Sequence, residues 1–214
     1  MKYIKLFEDF NPSDIPQTEP QFTLWMMQNA PKAVLNPQEW FEEELVKPKP
    51  NYSFISFIIK ELGLANRLSI PFPEETIRER RWTKQFADSL SLLHWAILYE
   101  NVELAKVLIE GGAKLNVQNL DKQTPLHWAV YHEIEEIVKM LIDAGADLDI
   151  QDAIERNTPL HLATLDGNIE IAKMLIDAGA DLNIKTVYKD TPWHLANRQM
   201  RQVLPELNPN RESL

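Results

Sequence analysis

Residues 124–130 read TPLHWAV, so a hydroxyl, an imidazole and an indole N–H fall within five positions. Such groups could act as nucleophile and base, or the imidazole could ligate a metal ion, provided that partners converge on them. Four of the five histidines, His94, His127, His161 and His194, occupy one recurring motif: SLLHWA at 91–96, TPLHWA at 124–129, TPLHLA at 158–163 and TPWHLA at 191–196. The starts lie 33, 34 and 33 residues apart. Zinc holds its nitrogens about 2.0–2.1 Å away, whereas packed helices stand about 8–10 Å apart. Histidines at one repeat position therefore form a ladder and cannot share an ion. No cysteine and no recurring carboxylate stands beside them as nucleophile or base. The pattern predicts histidines that tie turns together, with no catalytic residue, no metal and no cofactor.

The rest of each motif positions helices. Thr124, Thr158 and Thr191, with Ser91, suit an N-cap whose hydroxyl accepts a free backbone N–H. Pro125, Pro159 and Pro192 suit the first helical position, where the missing N–H costs nothing. Behind the first three motifs come ELAKVLIEGGAKLNVQN, EIVKMLIDAGADLDIQD and EIAKMLIDAGADLNIKT. Their Leu108, Leu141 and Leu175, with Ile109, Ile142 and Ile176, make an apolar stripe. Gly112, Gly145 and Gly179 suit the left-handed residue that ends a helix. Ala96, Ala129, Ala163 and Ala196 are small where two helices approach.

This self-similarity, the TPLHxA segment followed by GADLN, resembles the ankyrin repeat family over about residues 88–204. The resemblance implies an all-α, ankyrin-repeat solenoid of about four repeats, each a helix pair with a hairpin-like turn, at 88–118, 119–152, 153–185 and 186–204. Three irregularities stand out. Glu133 replaces the usual glycine between the paired helices, which should distort that loop. One extra residue in DAIERN (152–157) should lengthen the third turn. Pro205 and Pro209 should leave the fourth repeat short, as a C-terminal cap ahead of a tail at 205–214.

The N-terminal part differs in character. Nine of the fourteen prolines precede residue 88, and residues 1–87 carry a net charge of −1 against −9 for 88–214. Pro12, Pro16 and Pro20 suggest an extended arm at 1–20. Helical stretches are expected at 21–29, 37–46, 53–62 and 74–86, so that 21–87 forms a helical cap docked on the array. A solenoid needs such a cap, since an exposed repeat face is apolar. FIIKELGLANR at 57–67 resembles the end of a worn-down repeat. No apolar run reaches signal-peptide or membrane-span length, which points to a cytoplasmic protein.

Ankyrin arrays in general bind proteins, and the resemblance implies contacts from the turn tips and the exposed face of each first helix. On the helix face the matching residues are Leu98 and Tyr99, Tyr131 and His132, Leu165 and Asp166, and Arg198 and Gln199. At the tips they are Leu120 and Asp121, Ile154 and Glu155, and Val187 and Tyr188. That set is richer in apolar and aromatic side chains than solvated tips require. The expectation is a non-catalytic module, a monomer, binding a basic or neutral partner protein through its concave surface, with no nucleic acid and no membrane. The alternatives are a homo-oligomeric scaffold and repeats that target an activity held in residues 1–87. Coverage of the apolar set by the N-terminal segment and ordinary scattered exposure also remain open.

Overall fold

The computed structural model describes residues 83–208 and, ahead of them, Tyr52, Ile55, Ser56, Ile59, Ala65, Asn66 and Arg80. The expected arm at 1–20 and the helices expected at 21–29 and 37–46 lie outside the described residues. Within them every regular element is helical. A short α1 (Lys84–Asp88) leads into four pairs: α2 (Leu92–Leu98) with α3 (Val102–Glu110), α4 (Pro125–Tyr131) with α5 (Glu135–Asp143), α6 (Pro159–Asp166) with α7 (Ile169–Asp177), and α8 (Pro192–Leu195) with α9 (Arg198–Val203). The first helices α2, α4, α6 and α8 pack in sequence as one layer, and α3, α5 and α7 as a second.

The stripe seen in the sequence lies between the layers. Leu108, Leu141 and Leu175 are fully buried, and Ile109, Ile142 and Ile176 pack partly covered against the same core. Ala96, Ala129 and Ala163 are also fully buried, and their carbonyls accept the N–H of Asn101, Ile134 and Asn168 at 2.8–3.0 Å. That bond reverses the chain within each pair, and only a small residue lets the returning backbone come so near. Gly112, Gly145 and Gly179 take φ of 81°, 84° and 92°, the left-handed cap that a side chain would strain.

Glu133 does not distort its loop. It takes φ 56° and lets Ile134 N–H reach Ala129 O at 3.0 Å, the bond that Asn168 makes to Ala163 beside Gly167. The cost stays local, in a left-handed glutamate.

The array continues ahead of Ser91. Tyr52, Ile55, Ser56 and Ile59 are helical, and Ile55 and Ile59 are fully buried. Ile59 Cγ2 stands only 2.8 Å from where a Cβ on Gly111 would be, so glycine occupies the place of Ala144 and Ala178 in later repeats. Asn66 Oδ1 accepts Lys114 N–H (2.6 Å), as Asn116 Oδ1 accepts Asp147 N–H (3.0 Å) and Asp149 Oδ1 accepts Asp181 N–H (2.9 Å). Asn66 thus makes the inter-repeat bond of a worn-down repeat. The helix expected at 74–86 is corrected: Arg80 lies in a turn and Thr83 is an extended N-cap, so a new helix starts at Lys84. Thr83 Oγ1 accepts Phe86 N–H (3.1 Å), which is what breaks the run.

At the far end Leu204 and Leu207 are buried, so packing continues past the boundary expected at 204. Arg201 lies 5.0 Å over the Trp193 ring and donates to the carbonyls of Trp193 and His194. It occupies the end of the short α8, whose last carbonyls have no further helical turn to bond them.

Candidate interaction surface

The histidine ladder comes first, because its nitrogens are where chemistry was to be sought. In each repeat Nδ1 accepts the backbone N–H of the capping residue at 3.2 Å, from Ser91, Thr124, Thr158 or Thr191, and the cap hydroxyl lies 2.8 Å from the same nitrogen. A capping box normally ends in glutamate or glutamine; here the imidazole takes that role. Nδ1 being an acceptor, Nε2 carries the proton. It donates at 3.2 Å to the carbonyl of Gln123 from His94, of Asn157 from His127 and of Asp190 from His161. Each acceptor residue immediately precedes the next cap, so each of these three histidines crosses a repeat border. His94, His127 and His161 are fully buried. Burial pushes His94 down to about 4 and lowers His127 and His161 as well, against a smaller upward pull from the accepting carbonyls. These are neutral structural imidazoles with both nitrogens engaged. Among the described residues no three histidine or carboxylate side chains gather to hold an ion.

The turn tips are built by a second repeated position. Asn119 Oδ1 accepts the N–H of Asp121 and Gln123. Asp152 Oδ1 accepts those of Ile154, Glu155 and Asn157, and Thr186 Oγ1 those of Tyr188 and Asp190. All three acceptors are buried. Each loop folds round its acceptor, leaving Leu120, Ile154, Val187 and Tyr188 exposed. The third loop closes from Asp152 N–H to Asn157 O, one residue wider than Asn119 to Gln123 or Thr186 to Asp190, as the extra residue requires. Successive tips are joined: Leu120 N–H donates to Ser89 Oγ, Ala153 N–H to Asp121 O and Val187 N–H to Glu155 O. The tips are therefore one braced row. Asn119, Asp152 and Thr186 were not among the expected site residues, although the repeat alignment stacks them in one column.

At the ends of the first helices Tyr99, Tyr131, Leu165 and Asp166 are exposed, and His132 is half-buried beside Tyr131 (ring centroids 5.4 Å, edge-on). Leu98 is corrected: it is only 7% exposed and belongs to the core, whereas Tyr131 and Leu165 at the same register are 67% and 56% exposed. Register alone does not fix exposure at the first repeat, whose neighbours differ. Arg198 and Gln199 are corrected too. The first helix α8 stops at Leu195 and Asn197 caps α9, accepting Met200 N–H at 2.9 Å. One helical turn is missing, so both residues fall in the second helix of the last pair. Asn197 plays the part of Asn101 and Asn168, which accept the N–H of Leu104 and Ile171.

Tips and helix ends meet in a hollow of about 350 Å³ lined by Arg80, Phe86, Asp121, Gln123, Trp128, Tyr131 and His132. Trp128 Nε1 donates to Gln123 Oε1 (3.0 Å), which fixes the indole as one wall. Burial, and then Arg80, lower the imidazole of His132, while Glu100 pulls the other way. Arg80, Phe86 and Trp128 were not expected here. Trp128 looked like part of the scaffold motif, and Arg80 like one charge on an unbroken helix.

A family model described as ankyrin repeats matches in three overlapping copies, at residues 59–152, 93–186 and 146–207. The first copy begins at Ile59, the residue wedged against Gly111. No curated protein matches the chain significantly. No helix among the described residues is long and apolar enough to cross a membrane.

Proposed function

The chain belongs to the ankyrin-repeat family, and on that premise we propose that it is a non-catalytic module which binds a partner protein through its tips and first-helix ends, the concave side of the array. One observation carries this. Among the described residues the exposed large apolar ones are Tyr99, Leu120, Tyr131, Ile154, Leu165, Val187, Tyr188 and Val203. All but Val203 lie on that side, which scattered exposure does not explain. The braced tips and the aromatic hollow supply preformed shape, lowering the entropic cost of association, and tyrosine and tryptophan are common binding anchors. The module acts in the cytoplasm as an adaptor, inhibitor or masking protein, on a partner whose contact face is basic or neutral.

Affinity capture from native lysate tests it, with the intact chain and a Tyr131→Lys, Leu165→Lys variant of unchanged circular dichroism as baits. A protein retained by the first bait and lost with the second supports the reading. Equal retention by both moves the site elsewhere and overturns it.

A further inference from the structure

The hollow at the second repeat carries polar chemistry that the apolar row lacks. Phe86, Trp128 and Tyr131 supply its aromatic walls, and Asp121 and Gln123 line it from the tip. The backbone N–H groups of those two residues close on one atom, Asn119 Oδ1, at 3.0 and 2.9 Å. The Gln123 amide is fixed in orientation. Its Oε1 accepts Trp128 Nε1 at 3.0 Å and Asn119 Nδ2 at 3.3 Å, and an indole nitrogen only donates, so the amide oxygen and nitrogen cannot be exchanged. The other branch is therefore the donor Nε2, which meets no acceptor among the described residues. The Asp121 carboxylate accepts no hydrogen bond among them either. A fixed donor and an acceptor thus stand two residues apart beside an aromatic hollow. Neighbouring repeats do not reproduce this. Leu90 holds the place of Gln123 in the first, where Trp95 Nε1 is buried without a partner, and Leu162 holds the place of Trp128 in the third.

Resting on the binding role above, we infer that this hollow receives a tyrosine side chain of the partner protein, its ring against the aromatic walls, its hydroxyl accepting from Gln123 Nε2 and donating to the Asp121 carboxylate. The volume, about 350 Å³, is at the low end of the roughly 300–1,000 Å³ of small-molecule sites and suits one ring. Complementarity selects the hydroxyl. Phenylalanine would fill the walls but leave the donor and the acceptor unpaired and stripped of water. Tryptophan donates only and would leave Gln123 unmet. Charge disfavours an ion: Arg80 lines the hollow and Lys122 adjoins Asp121 at the tip, so a carboxylate would face Asp121 and a lysine would face Arg80. A neutral hydroxyl that both donates and accepts avoids that conflict, and tyrosine joins it to an apolar ring.

The test titrates the full chain with the N-acetyl amides of tyrosine, phenylalanine, tryptophan and O-phosphotyrosine, following the Trp128 indole N–H by nuclear magnetic resonance, its signal assigned with Trp128→Phe. The tyrosine amide should bind at least about fivefold more tightly than the phenylalanine amide. Asp121→Ala should bring the two within about twofold of each other, chiefly by weakening the tyrosine amide. Asp143→Ala, exposed on α5, removes the same charge and should leave the preference unchanged. Equal binding of the tyrosine and phenylalanine amides to the wild type would overturn the inference, as would a preference that survives Asp121→Ala. Tighter binding of the tryptophan amide would overturn it in favour of a donor alone, and tighter binding of the phosphorylated amide in favour of an anion at Arg80. No movement of the indole signal with any amide at millimolar concentration would remove the ring site itself. The lysate capture reads the binding role separately: partner loss with Tyr131→Lys, Leu165→Lys but no tyrosine preference overturns this inference alone.

Discussion

At its start, the first helix of the second and third repeats meets the same threonine, proline and histidine, bonded at the same distances; at its end it carries Tyr131-His132-Glu133 in one and Leu165-Asp166-Gly167 in the other. The two ends lie a few residues apart yet answer to different constraints. At the start, a buried imidazole must satisfy both nitrogens, and only the one geometry does so. At the end, the backbone must reverse, which takes one left-handed residue and one bond to an alanine carbonyl. Side chains there are free to differ, and they are the ones facing outward. Uniformity marks what holds the array together, and divergence marks where a partner can be chosen.

Acid should break the comparison most strongly. His94 is held near 4 against 6.5 unfolded, so the unfolded chain binds the proton more readily. Its contribution is full above about pH 6.5 and is lost as pH falls towards 4, on the order of 3 kcal/mol. His127 and His161 shift the same way and add to the loss. Urea unfolding across that range should show stability declining, with His94→Gln removing part of the decline. A wild-type profile flat from pH 7 to 4.5 would contradict the ladder.

His127→Ala comes next. It strands Thr124 N–H and the Asn157 carbonyl in a buried site and leaves a cavity, costing about 3 kcal/mol. His194→Ala, exposed at the last repeat, should cost less than about 1 kcal/mol. Similar losses in chemical denaturation would mean that the border-crossing bond contributes little.

The smallest effects lie at the variable end. Ile134 caps α5 without a side-chain bond, where Asn168 caps α7 through Oδ1. Ile134→Asn should stabilise by about 1 kcal/mol, and Glu133→Gly by a few tenths as left-handed strain is relieved against glycine's entropy. Thermal melts measure both.

The repeating chemistry was legible from sequence because each cap, glycine and stripe residue answers to its own repeat. The hidden parts answer to neighbours. Leu98 is buried although its register is open in later repeats. Arg198 was placed by counting from Thr191, but the count fails where a turn is missing; aligning Asn197 with Asn101 and Asn168 reveals the deletion. The wall formed by Phe86 and Arg80 required knowing that Thr83 restarts the chain. Tip residues such as Leu120 and Ile154 were legible as exposed, but not the buried acceptors Asn119 and Asp152 that present them.

The border-crossing histidine also bears on how such a chain can change over generations. Residues 158–190 hold a donor in His161 and its acceptor in Asp190. A tandem duplication of that stretch, inserted before Thr191, would bring both halves of the new junction with it. Each copy would close on the residue ahead of the next cap, and the last would still meet Thr191 and Arg201. Gene-level lengthening in whole repeats thus needs no compensating substitution at the seam, because the acceptor is a backbone carbonyl that any residue ahead of a cap supplies.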